Sequence, residues 1–368
     1  MRLRRALSVP VLSVAAVLGA SSIAWAAHGG HNKPLGDHLV GRQADGSVLT
    51  SANQYVTPVG AVVKQTGRPM DMLVRPDGKT AVDVGHIGFG PPLFTVIDLV
   101  NHKVRQQYTP PAGTGDGTLS VAGLLYSKDG NTVWAAQTRD ILQFSVGADG
   151  TLSSPQVISI PAGSSVPKSP SGSPASPLPT DLQFTPDGTH VLVVLDGWNT
   201  LGVLDPATKT ITSQIPVGVV PRDVVVIGNH AFVSNEGGRQ PTTSDFTNYS
   251  YDSQVVAESK DGRANNGTIS EVDLSTNKVV NTYTVGLDPS SMLVDGTTLL
   301  VTNSSDDTIS IIDTAAGAVT QTVNVNPLPG QPFGSSPNAL AFFDPTHLVV
   351  SLGRDNALAV YDYHGAHQ

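Results

Sequence analysis

The 368-residue chain has no cysteine. That excludes disulfides, thiolate zinc sites, iron–sulfur clusters and thiol nucleophiles, so stability must come from packing and strand pairing. Glutamate is nearly missing too: Glu236, Glu258 and Glu271 are the full set. Tryptophan occurs only as Trp25, Trp134 and Trp198. Charged residues make up 14% of the chain, and the net charge of −9 argues against nucleic acid or an anionic membrane surface as a partner. Helical periodicity is absent outside the N-terminal segment. No Gly-x-Ser-x-Gly elbow occurs, and no strand-to-helix turn is present to expose a serine nucleophile.

The N-terminus carries the one long apolar run. Arg2, Arg4 and Arg5 precede a mostly apolar stretch from Ala6 to Ile23, and Ala24-Trp25-Ala26 supplies the small-x-small pattern of a signal peptidase site. Residues 1–26 are expected to be a cleaved signal peptide, which places the mature protein in the periplasm or cell envelope or outside the cell. No later stretch is apolar enough to cross a bilayer. Residues 27–44 read as a flexible tail. Its His28, His31 and His38 have no preformed geometry to hold a metal.

What the chain has in plenty is turn chemistry, with 37 Gly and 27 Pro. These residues mark a repeat. Each unit opens with Pro-x-Asp/Ser and apolar residues, turns at Asp-Gly or an equivalent, and ends a later strand in apolar-apolar-Asp. The clearest copy runs Pro179-Thr180-Asp181-Leu182, Pro186-Asp187-Gly188, Val203-Leu204-Asp205. Others begin at Pro69, Ala122, Pro221, Pro289 and Pro337. Proline cannot donate to a strand ladder and suits a strand's first residue. Asp-Gly supplies the positive φ that a tight antiparallel turn needs. Another strand follows the closing Asp, giving four per unit at about the 40–45-residue spacing of a propeller blade. The fold class is therefore all-β, a β-propeller of four-stranded blades over residues 45–368. Six repeats are visible, so six or seven blades are expected. Gly60–Gln65 is a candidate outer strand to close the last blade.

The units resemble YVTN-type propeller repeats of bacterial envelope proteins over about residues 45–364. Three stretches, Val233–Arg239, Gly334–Leu340 and Gly353–Ala357, are similar to the propeller that precedes an alkaline-phosphatase-type phosphoesterase domain. That family's propeller has seven blades. This chain departs from the pattern by stopping at Gln368, after the third strand of the sixth unit, so phosphoesterase chemistry is not carried over to it.

Two segments break the period. Residues 162–177 are rich in Ser, Gly and Pro and read as a dispensable surface loop. Residues 237–266 carry aromatics and both charge signs, and loops on a rigid scaffold are where function concentrates. This second insertion is expected to lie over one face and to meet Asn235, Arg239, Asp306, Arg354 and Asp355, with Phe246, Tyr249 and Tyr251 as apolar anchors. Together with Glu236 and Asn303 these polar residues form the expected ligand-binding face. Asp71, Asp181 and Asp223 recur near the starts of inner strands and would ring the central channel. They could bind a cation or polyol, or each could hold a neighbouring segment through backbone hydrogen bonds; recurrence favours the second. His86–Pro92 is read as a structural loop, because no helix follows it to bind phosphate.

No catalytic residue, resident metal or cofactor is expected. The reading is a monomeric, non-catalytic interaction module, binding an envelope protein, a glycan or a small ligand on one face. The alternatives are a metal-dependent lactonase or other hydrolase, or the propeller part of a larger phosphoesterase. Lactonase propellers resemble this fold but use a glutamate among their channel ligands, and only Glu236 falls in a suitable loop.

Overall fold

A computed structural model describes residues 40–365, apart from 51–53, 58–59, 89, 119, 121–122, 164–165, 170, 251 and 328–333. The expected signal peptide and most of the expected tail lie outside these residues, as does Tyr251.

The protein is an all-β, seven-bladed propeller. Among the described residues, five antiparallel sheets have four strands and two have three, with one separate two-stranded hairpin. Blades 1 to 6 follow the sequence repeats, at 68–108, 124–159, 179–216, 221–285, 289–324 and 337–362. In each blade the first strand is innermost, and the first strands of successive blades touch one another around the axis.

The seventh sheet comes from the N-terminus. Gly41–Arg42, Val48–Leu49 and Tyr55–Val56 pair in order. The propeller thus starts ahead of residue 45, and the count of seven is reached with a segment that carries no repeat signature. The Gln54 side chain donates to the Arg354 carbonyl at 3.4 Å and accepts from the Asn356 amide, tying this sheet to blade 6. Gly60–Gln65 forms no strand. Blade 6 has three strands, with Ala357–Asp362 outermost. The expected outer strand is therefore corrected: the ring is closed by a sheet of short strands, whose few residues leave too little pattern to read.

Strand chemistry explains the blades. Val191–Leu195 is an unbroken apolar run, buried on both faces between blades 2 and 4. The outermost strands alternate instead, as in Lys103–Tyr108. Five apolar clusters fill the gaps between neighbouring blades, one per gap from blade 1 to blade 6. In the first, Phe94 of blade 1 meets Phe144 of blade 2 edge-on at 4.7 Å.

The entry to the inner strands is also regular. Leu178, Val220, Asp288 and Ser336 each have positive φ, and each precedes the proline that begins an inner strand. A register shift follows each of these prolines, which lets the chain swing from a crossover into the sheet.

Residues 162–177 are not a free loop. Val166 and Ala175 pack into the cluster between blades 2 and 3. The Trp198 indole donates to the Ala175 carbonyl at 2.9 Å. The Gly197 N–H donates to Pro177 at 3.1 Å, and a Cβ on Gly197 would sit 2.0 Å from the Ser176 carbonyl. The expected surface loop is thus tied to the ring at its end: Ala175 and Pro177 supply the acceptor and the cover that a buried tryptophan requires.

Candidate functional site

Alternation of strand direction puts two sets of connections on one face: the loops between second and third strands, and the crossovers to the next blade. At the mouth on this face, blades 3, 4 and 5 bring charged groups together. Asp196 lies in a single 3-10 turn, Asp196–Trp198, that follows Val191–Leu195. Arg222 is the second residue of the inner strand Pro221–Ile227, and Glu236 follows the second strand His230–Asn235.

The Arg222 guanidinium is shared. One terminal nitrogen lies 3.1 Å from Asp196 Oδ2. Nε and the other terminal nitrogen donate to Glu236 Oε2 at 2.9 and 2.5 Å. The second Glu236 oxygen accepts from Ser250 Oγ at 3.1 Å. Burial pushes the Asp196 carboxyl up to about 6; Arg222 pulls it down and the Glu236 charge raises it further. Asp288 is also raised, first by burial and then by Glu236, against the pull of Arg222 and Arg354. Asp196 and Asp288 thus each feel Glu236 and the one guanidinium, with Arg354 within electrostatic reach of Asp288.

The insertion is anchored beside this cluster. Thr247–Ser250 and Ser253–Val256 form a hairpin. Val255 packs on Val219 and Val220 of the crossover from blade 3, Ser253 Oγ donates to Asn199 Oδ1 at 3.4 Å, and Gln240 Nε2 donates to the Val217 carbonyl at 3.3 Å. The hairpin therefore lies toward blade 3. This corrects the expected packing against Asp306, Arg354 and Asp355: valines on the hairpin match valines on the crossover, whereas the loops of blades 5 and 6 offer polar groups. Phe246 and Tyr249 remain in solvent, 51% and 45% exposed.

The residues expected to bind fall into two groups. Asn235 and Asn303 are fully buried. Their amides donate to Thr268 and Ser270 in blade 4, and to Thr308 and Ser310 in blade 5. Arg239 is held in a two-pronged pair by Asp245 within the insertion. Asp306 accepts from the Leu287 N–H at 2.6 Å. Arg354 is exposed and Asp355 half-buried, at the blade 6 loop tied to Gln54. Only Glu236 of that set joins the cluster at Arg222. Arg222, Asp196, Asp288 and Ser250 were not singled out by the sequence. A signal existed for Arg222: it alone puts a charge at the middle of the Pro-x-Asp/Ser motif, where other units have Met70, Thr180 and Ser290.

The channel aspartates have a shared geometry. Asp71 Oδ2 accepts from the N–H groups of Gly123 and Leu124 at 3.0 and 3.1 Å. Asp181 Oδ2 accepts from Val224 N–H at 2.9 Å, and Asp223 Oδ2 from Met292 N–H at 2.7 Å. Each carboxylate spans from one blade to the inner strand of the next. Among the described residues, no three His, Asp or Glu side chains converge as a metal centre.

A cleft of about 410 Å³ opens on the opposite face. Two of its three cations are committed to structure: Arg75 donates to the Gly130 and Ala148 carbonyls, and Arg105 pairs with Asp98. Much of the wall is therefore a clamp between blades 1 and 2.

Fold and mouth together define a seven-bladed propeller with a charged, hairpin-flanked face. The chain is similar to a protein from Bacteroides uniformis assigned as a 6-phosphogluconolactonase, with 15% identity, TM-score 0.58, and 88% of this chain and 91% of that one covered. It is also similar to hydrazine synthase of Kuenenia stuttgartiensis, with 15% identity, TM-score 0.55, and 83% and 80% covered. A third is the Dos1 propeller, with 11% identity, TM-score 0.54, and 86% and 69% covered. At these identities the likeness shows the fold alone. No protein-family model matches the chain, and comparison with curated proteins found no match.

Proposed function

We propose that this protein is an exported, non-catalytic propeller that binds a protein or glycan of the cell envelope through the face carrying the hairpin. One observation carries the reading. The hairpin is fixed to the ring by Val255, Ser253 and Gln240, yet it holds Phe246 and Tyr249 in solvent. Large aromatics displayed on an ordered support give contact area at little entropic cost, the chemistry of an interaction hot spot. Beside them, Arg222 is saturated by its carboxylates, so the mouth is polar but preorganised. The basic, apolar and small-x-small N-terminus supports export.

The test is a photo-crosslinking residue at position 249 in intact cells, with a control at position 315 in a loop on the opposite face. The expected result is a discrete adduct from 249 only, lost with Phe246→Ser, and a mature N-terminus beginning near residue 27. Equal adducts from both faces, or no adduct from 249, would overturn the reading. So would turnover of lactones or phosphoesters by the purified protein.

A further inference from the structure

A second polar cluster lies where the chain crosses from blade 1 to blade 2. In blades 3 and 5 the residue just before the third strand holds the crossover that follows. In blade 3 it is Asn199, whose Oδ1 accepts from Val220 N–H at 2.9 Å. In blade 5 it is Asp307, and both its oxygens have donors: Ser336 N–H to Oδ1 and Asn326 Nδ2 to Oδ2, each at 2.9 Å. In blade 2 the first residue of the third strand, Asp140, 7% exposed, reaches back to the preceding crossover instead. Its Oδ2 accepts from Asp116 N–H at 2.8 Å, while its Oδ1 is buried with no donor.

Neighbouring side chains also carry buried polar atoms without partners. Gln137 is completely buried, and neither its Oε1 nor its Nε2 has a partner. Asp116 has Oδ1 occupied by Thr118, while Oδ2 is buried and unpartnered. Gly115 shows how closely Gln137 and Asp140 converge. A Cβ placed on it would lie 2.2 Å from Gln137 Oε1, 2.7 Å from Asp140 Oδ1 and 2.9 Å from Asp140 Oδ2. Its left-handed φ of +61° and missing side chain keep that point open. No cation offsets the charge there. Burial and the neighbouring Asp116 push Asp140 up to about 6, opposed only by the Asp116 backbone N–H. A buried carboxylate beside a second carboxylate and an idle amide is costly unless something positive completes it.

We infer that Asp116, Asp140 and Gln137 hold a divalent cation of the calcium class, which ties the crossover from blade 1 to the rim of blade 2. The donors are two carboxylates and an amide carbonyl, all hard oxygens, with no nitrogen or sulfur ligand. Calcium accepts such irregular arrays and completes its shell with water, whereas magnesium demands near-ideal octahedra. Two carboxylates match the charge of one divalent ion. Asp307 of blade 5, also buried, has an asparagine amide and a backbone N–H on its two oxygens instead.

The experiment uses the mature protein stripped with EDTA and titrated with calcium chloride, read by calorimetry and by melting temperature. One saturating site is expected, with a melting temperature that rises with calcium. Asp116→Asn should weaken binding by more than about tenfold, the scale on which weakened metal environments lose affinity. Gln137→Glu adds a third carboxylate and separates the alternatives. With an ion present it should be unstable in EDTA, restored by calcium, and tighter in binding than wild type. If Gln137 instead turns its amide to donate to Asp140, the wild-type protein will show no calcium heat or thermal shift, and Gln137→Glu will stay destabilised in calcium. Either result overturns the site, as does wild-type affinity in Asp116→Asn.

Discussion

At the scale of single residues, Asp196 is the clearest titrating group of the mouth. Its folded pKa, about 6, stands above the ordinary 3.8 because burial outweighs the pull of Arg222. The native state therefore binds more protons than the unfolded chain between about pH 4 and pH 6, and its contribution makes stability fall as pH rises through that window. The effect is roughly 2–3 kcal/mol at most, from a shift of about two units. Urea unfolding from pH 4 to 7 should show this slope, which Asp83 and Asp140, also raised to about 6, share, and Asp196→Asn should reduce it while Arg222 keeps Glu236. The bridging aspartates act differently. Asp223→Ala would strand the buried Met292 N–H and should cost about 1–3 kcal/mol. Asp223→Asn keeps an acceptor oxygen and should cost less, as the two melting temperatures would report.

At the scale of elements, the two insertions are integral to the ring. Deleting residues 166–176 would remove the Ala175 acceptor from Trp198 and open the cluster between blades 2 and 3. A loss of about 2–4 kcal/mol is expected from the orphaned indole and the cavity together, measured by denaturant midpoint at constant m-value. The hairpin should respond to its anchor more than to its tip. Val255→Ala, 4% exposed against Val219 and Val220, should cost about 2 kcal/mol. Phe246→Ser, half in solvent, should leave the melting temperature nearly unchanged while affecting partner binding.

At the scale of the whole molecule, closure depends on a short sheet with little apolar burial of its own. Leu49 is its fully buried apolar side chain among the described residues. The tie from Gln54 to the blade 6 loop joins the ends of the chain across the ring. Removing residues 40–56 should leave blades 1 and 6 with unpartnered faces, lower the melting temperature and broaden the transition. A calorimetric trace with unchanged midpoint and width would show that the ring does not need its seventh sheet. The adjacent-blade contacts predict that such damage starts at this seam, since each blade packs only on its neighbours.

The sequence by itself determined the all-β class, the repeat and the position of six blades, because proline at strand entry, Asp-Gly turns and buried apolar strands are local constraints written in consecutive residues. It also made Asp71, Asp181 and Asp223 visible as a recurring set, and their repetition already favoured a bridging role. It did not reveal the seventh sheet, whose two-residue strands at Gly41, Val48 and Tyr55 carry no period. Nor did it reveal the cluster of Asp196, Arg222, Glu236 and Asp288, which come from blades 3 and 4 and the crossover to blade 5 and meet only when those blades pack. Asn235 and Asn303 look like ligand contacts in a polar loop, but the pleat turns them inward onto threonine and serine. Gln137 and Asp140 flank one turn of blade 2, while Asp116 lies in the crossover before it, and only the docking of that crossover on the turn brings the proposed ligands together. Local chemistry sets strands and turns; which polar groups end up facing one another is decided by the ring, because burial and charge pairing depend on neighbours far apart in sequence.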